Sequence, residues 1–181
     1  MHLIVVSKDL SYFDHIHPDY KGNGLFTITT KFPIGGDFKL YADFTPKGAS
    51  KSVKTDMVTV QGDAPKPVAL QPETNLTKVI DGKEVTLSFD HVMANMDLNM
   101  NFNIKDAQTK QPITNLQPYL GAVGHVVIIS EDTNLYLHVH PSDEKATGPD
   151  AKFMTNFPKK AEPIKYGVSS NMKAKSSRFH S

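Results

Sequence analysis

Six of the eight histidines in this chain fall into two sets with one spacing, H-x12-H-x-H-P. The first set is His2, His15 and His17, followed by Pro18; the second is His125, His138 and His140, followed by Pro141. A neutral imidazole offers a lone pair to a metal. Three of them suit Zn(II) or Cu(II), with one position left open for water or another ligand. In an extended chain, residues i and i+2 project from one face about 6.6 Å apart, so each H-x-H pair presents its rings together. The leading histidine joins them only for certain loop lengths. Two or four loop residues put His2 on the face of His15 and His17, whereas three put it on the opposite face. Against the metal stands a structural role, in which the rings cap strand-end carbonyls or stack on Phe13 and Tyr136.

Other groups carry less. His91, Met93, Met96 and Met100 lie within ten residues, and soft thioethers suit Cu(I), but Met100 with Phe102 and Ile104 also reads as one ordinary core face. Asp9 and Asp132 recur beside the turn, where aspartate stabilises a loop through bonds to its own backbone. His138, His140 and Glu144 form H-x-H-x3-E, which resembles the first half of a cupin metal motif; the first set has Lys21 where that glutamate would be. No Ser/His/Asp elbow, phosphate loop or Cys-x-x-Cys is present. No catalytic residue is named, and the chain is not read as an enzyme.

The histidines belong to a longer repeat. MHLIVVSKDLSYFDHIHP lies over GHVVIISEDTNLYLHVHP without a gap and with six identities, and Thr30, Phe32 and Pro33 answer to Thr155, Phe157 and Pro158. Period-two alternation dominates the chain and predicts strands over 2–7, 14–18, 25–32, 38–44 and 52–60. GDAPKP (62–67) reads as a linker. Further strands are predicted over 85–89 and 100–104, with 113–120 leading into the second hairpin. Short strands between Gly, Pro and Asn turns predict an all-β fold of two immunoglobulin-like sandwich repeats. The units are 1–62 (lacking its leading strands), a linker at 63–69, and 70–161.

After Pro158 the first copy predicts a strand like GDFKLYADF (36–44), yet the chain turns rich in Ser and Lys. Read one frame over from Ala161, degenerate codons admit GTYKIWGQFKHEGKVFTVPF, which restores that strand. Residues 162–181 are therefore expected to be a frameshifted, disordered tail, in which His180 carries no function.

A net charge of +1 without basic or acidic blocks argues against nucleic acid as a partner. No apolar run is long enough to span a bilayer, and the start shows no basic-then-apolar export signal. The chain has no cysteine, which removes disulfides and thiolate sites.

MHLIVVSKDLSYFDHIHP, FPIGGDFKLYADFTPKG and QPYLGAVGHVVIISEDTNLYLHVHP resemble the YtkA-like group of small exported β-sandwich domains of Gram-positive bacteria, some associated with copper. The resemblance covers about residues 1–62 and 75–160. It implies a sandwich fold, an extracytoplasmic setting, and a parent protein with an export or lipoprotein signal and leading strands, of which this chain is a fragment. The reading that results is transition-metal capture or buffering, copper before zinc, with His125, His138 and His140 ranked first and His2, His15 and His17 as the equivalent set. The alternative is an interaction module that binds an envelope protein partner, its histidines structural. A cupin-type metalloenzyme dependent on Glu144 comes third.

Overall fold

The computed structural model describes residues 1–66, 74–90, 97–118, 122–156 and 166–167. Among them there is no helix, and every paired strand is antiparallel. Among the described residues no helix is long and apolar enough to cross a membrane. The chain divides into two compact units, Met1–Leu70 and Gln71–Ser181.

The first unit is built from β1 (His2–Ser7), β2 (Phe13–Ile16), β3 (Asp19–Gly22), β4 (Leu25–Thr27), β5 (Gly36–Phe44) and β6 (Ser52–Val60). Four of these form a sheet in the order β2-β1-β5-β6, while β3 and β4 pair as a separate hairpin. The apolar run Leu3–Val6 explains the central place of β1: Ile4, Val5 and Val6 are buried, so both faces of the strand are covered. On one face the buried Phe38 packs edge-on against Phe32 and Tyr12, with ring centroids 4.7 and 5.7 Å away. The other face carries the histidines. Where β5 begins, the chain passes close to the linker: a Cβ on Gly35 would sit 2.3 Å from the carbonyl oxygen of Gly62, so only glycine fits there.

The second unit comprises β7 (Thr77–Ile80), β8 (Lys83–Phe89), β9 (Asp97–Asp106), β10 (Val126–Ser130), β11 (Tyr136–Val139), β12 (Asp150–Asn156) and β13 (Tyr166–Gly167). It has two sheets, ordered β12-β9-β8-β7 and β11-β10-β13. Alternation along β9 turns Leu98, Met100, Phe102 and Ile104 inward. They pack with Val85 and Leu87 of β8, Ala151 and Phe153 of β12, Val126 and Ile128 of β10, and Val139 of β11. Burial of each large side chain contributes about 1.5–3 kcal/mol. Because Val126 and Ile128 face this core, pleating sends His125 and Val127 to the opposite face of β10. Met100 is thus a core residue; His91, Met93 and Met96 lie outside the described residues.

Strands predicted over 2–7 and 52–60 coincide with β1 and β6, and those over 85–89 and 100–104 lengthen into β8 and β9. The expectation for 25–32 yields only the three residues of β4. Its counterpart in the repeat, β12, pairs with β9. The described part of the first unit holds no such partner, and β4 closes on β3 instead. Gly22, Asn23 and Gly24, at φ 96°, 51° and 78°, make that turn. Residues 113–118 form no strand; Ile113 and Leu116 pack against the core of the second unit as the chain crosses over it. Three strands, β7 to β9, precede the second hairpin. The expected tail, 162–181, lies outside the described residues apart from Tyr166–Gly167, which pairs with Ser130 and Ile129.

Candidate metal centre

The first hairpin sets the geometry of its histidines through its loop. Ser7 and Tyr12 close the ladder, with the Ser7 amide donating to the Tyr12 carbonyl at 3.1 Å. Four residues, Lys8 to Ser11, lie between them. Asp9 Oδ1 accepts hydrogen bonds from Ser7 Oγ at 2.6 Å, Ser11 Oγ at 2.8 Å and the Ser11 amide at 3.2 Å. Ser7 Oγ in turn accepts from the Tyr12 amide at 2.9 Å. Burial lifts the Asp9 pKa, but the hydrogen bonds from Ser7 and Ser11 outweigh it and hold the carboxyl below its ordinary value. Nearby, burial foremost and then the Asp14 carboxylate push the Tyr12 phenol up. Leu10 completes the turn at φ 59°.

An even loop keeps all three histidines on one face. The register pairs Leu3 with Ile16 and Ile4 with His15, which places His17 directly across from His2. Pro18 follows, and having no N–H it cannot continue the ladder. His2 Nδ1 lies 2.8 Å from His15 Nε2 and 2.9 Å from His17 Nε2. The three donor atoms all fall within 4.8 Å of one another. The ring centroids are 5.1, 4.5 and 5.2 Å apart for the pairs His2–His15, His2–His17 and His15–His17. His2 and His15 are half-buried and His17 is exposed, so the cluster opens to solvent on one side.

The second hairpin repeats the loop. Ser130 and Leu135 close it at 3.1 Å. Asp132 accepts from Ser130 Oγ and from the Asn134 amide, Ser130 Oγ accepts from the Leu135 amide, and Thr133 stands at φ 61°. The aspartates read from the sequence as turn-formers are turn-formers here. The register pairs Val126 with Val139 and Val127 with His138, so His140 faces His125. This triplet is wider around its leading histidine. His125 Nδ1 and His138 Nε2 are 3.3 Å apart, and the centroids of His125 and His140 are separated by 5.8 Å, against 4.5 Å for His2 and His17. His138 and His140 lie 4.8 Å apart, centroid to centroid. Glu144 is exposed in the turn after β11 and is not among the converging donors found in the described residues.

One neighbour of the first triplet escaped the sequence reading. Asp43 of β5 is the cross-strand partner of His2 on the side away from β2. It is buried, and Lys51 Nζ lies 3.1 Å from its Oδ2. An acid in the alternating strand FKLYADF was a visible signal, since buried carboxylates are rare without a partner. Sequence spacing could not show that β5 lies beside β1.

Compared with known proteins, the chain matches one family model, described as Domain of unknown function (DUF8832), over residues 1–62 and 77–166. Each matched stretch contains one complete triplet. No curated protein and no solved structure matches.

Proposed function

The chain belongs to the DUF8832 family, whose description assigns no activity, and from that premise we propose that it captures a transition-metal ion through its histidine triplets, copper(II) before zinc. The observation that carries this is the convergence of three ring nitrogens at His2, His15 and His17. His2 Nδ1 has a single in-plane site, which is either a lone pair or an N–H. It faces two other ring nitrogens at 2.8 and 2.9 Å, and one such site cannot serve both as a full hydrogen bond. A shared cation uses all three lone pairs at once. The spacing bears on the metal. Donors about 2.8 Å apart subtend about a right angle at an ion about 2.0 Å from each, as in tetragonal copper(II), whereas tetrahedral zinc needs about 3.3 Å.

The role is capture or buffering. The triplet's open side leaves a position for a further ligand, which suits an ion that is held and passed on. The resemblance to the YtkA-like exported domains, some of them associated with copper, supports an extracytoplasmic setting for this role. A second reading, an interaction module, draws on the β3–β4 hairpin, where Tyr20, Leu25 and Ile28 are 61, 57 and 40 % exposed. On that reading the histidines can be replaced without loss of function.

The test is a titration of the chelator-stripped protein with Cu(II) and with Zn(II), beside the His15→Ala/His17→Ala and His138→Ala/His140→Ala variants. Tight binding of defined stoichiometry, lost with a triplet, is expected. Weak binding unchanged in both variants would remove the metal and leave the interaction module.

A further inference from the structure

Beyond the triplet itself, and resting on the metal reading above, we infer that Asp43 is the positioning residue of the first site and that Lys51 sets how strongly it acts. His17 just past the end of β2, His2 of β1 and Asp43 of β5 form one row on a single face. Cross-strand neighbours have Cβ atoms about 4.5–5.5 Å apart, so the Asp43 carboxylate and the His2 imidazole are adjacent. His2 turns Nδ1 toward His15 and His17. Nε2 is the other ring nitrogen, and Asp43 is the acceptor we assign to its N–H.

A histidine ligand commonly gives its second N–H to a carboxylate, which fixes the tautomer and makes the ligating nitrogen more basic. Asp43 stands in the place for that role. Its carboxylate is not among the converging donor atoms, so it acts on the site through His2 and through its charge. Its side chain is 3 % exposed, and a charge so little screened by water acts strongly on a cation nearby. Lys51 reaches it from the loop between β5 and β6, with a side chain 46 % exposed. The lysine engages Oδ2 and offsets part of the negative charge. The described pairing of β13 with β10 covers Ile129 and Ser130.

The experiment is a Cu(II) titration of the full chain as wild type, Asp43→Asn, Lys51→Met and His15→Ala/His17→Ala, with the copper EPR spectrum and the thermal unfolding of the metal-free proteins measured alongside. Asp43→Asn should weaken triplet-dependent binding by about 10- to 100-fold and alter the EPR parameters. Lys51→Met, which frees the carboxylate's charge, should strengthen binding about threefold or more. A residue that served the fold alone would not move affinity in opposite directions in these two variants. If Asp43→Asn remains folded and binds like wild type, the inference falls and the metal reading stands. Should Asp43→Asn fail to fold, Lys51→Met decides, and an unchanged affinity there overturns the inference. If wild-type binding is absent or indifferent to His15 and His17, the metal reading and this inference fall together.

Discussion

In the first hairpin the Leu10 amide donates to the Ser7 carbonyl at 2.8 Å; in the second the Thr133 amide donates to the Ser130 carbonyl at the same distance. Both loops have a Ser-x-Asp frame and one left-handed residue, at φ 59° and 61°. The histidines they carry are nevertheless spread differently, with 4.5 Å between the facing rings of the first and 5.8 Å in the second. The two central strands also differ in their described pairing. His2 lies within β1, paired through β2 on one side and β5 on the other. His125 precedes β10, whose described pairing starts at Val126. A shared loop therefore sets which face the rings occupy, while the spread of the rings differs from one hairpin to the other.

The largest expected effect tests that contrast directly. His15→Ala/His17→Ala should weaken the tightest Cu(II) binding by about 100-fold or more, because two of three ligands are gone, whereas His138→Ala/His140→Ala should change it by less than about 10-fold. Isothermal titration calorimetry on both variants reads this, and equal losses would break the comparison. Acidification should release the metal in the same order of sites, since protons and metal compete for the same imidazole lone pairs.

Part of this was legible in the sequence and part was not. The H-x-H spacing placed two rings of each triplet on one face, and the duplicated hairpin was visible by inspection. The side taken by His2 was open, because residues 8–12 permit more than one loop length. It is settled by contacts of Ser7, Asp9 and Ser11 that spacing alone does not encode. β3 (DYKG) and β7 (TKVI) were missed because short, polar strands carry little periodic signal. The segment 25–32 alternates well yet pairs over only three residues: alternation makes a strand possible, and a partner makes it real. Asp43 was overlooked for the same reason, since its meaning comes from lying beside His2 on another strand.

The two turn aspartates give the next effect. Asp9→Ala removes three hydrogen bonds from the first loop and should lower stability by about 1 kcal/mol, a value discounted for partial exposure. Asp132→Ala should cost a similar amount. Only Asp9→Ala should also loosen Cu(II) binding, which separates loop stability from site geometry. The sign with pH follows from the Asp9 carboxyl, which the folded state holds below its ordinary value. Its contribution is present above the unfolded pKa and is lost as pH falls through the lower folded one. Asp150, lowered chiefly by hydrogen bonds from Asn103 and Asn101, has the same sign. Acid titration of Tm should thus fall less steeply below about pH 3.8 in Asp9→Asn than in wild type. Parallel curves would deny the carboxylate that role.

The smallest effect sharpens the comparison at a single residue of each loop. Leu10 and Thr133 share the left-handed conformation, which asparagine adopts more readily than leucine or a β-branched residue. Leu10 is half-buried, whereas Thr133 is 8 % exposed and packed. Relief of backbone strain should therefore dominate at Leu10, so that Leu10→Asn raises stability by about 0.5 kcal/mol. At Thr133 the same relief is offset by the loss of a buried, β-branched side chain, and Thr133→Asn should be neutral or destabilising by about 0.5–1 kcal/mol. Thermal unfolding of the two variants reads opposite signs if the loops differ in packing while sharing a backbone. A gain at both positions would mean that strain alone governs these turns, and that the second hairpin is held no differently from the first at its tip.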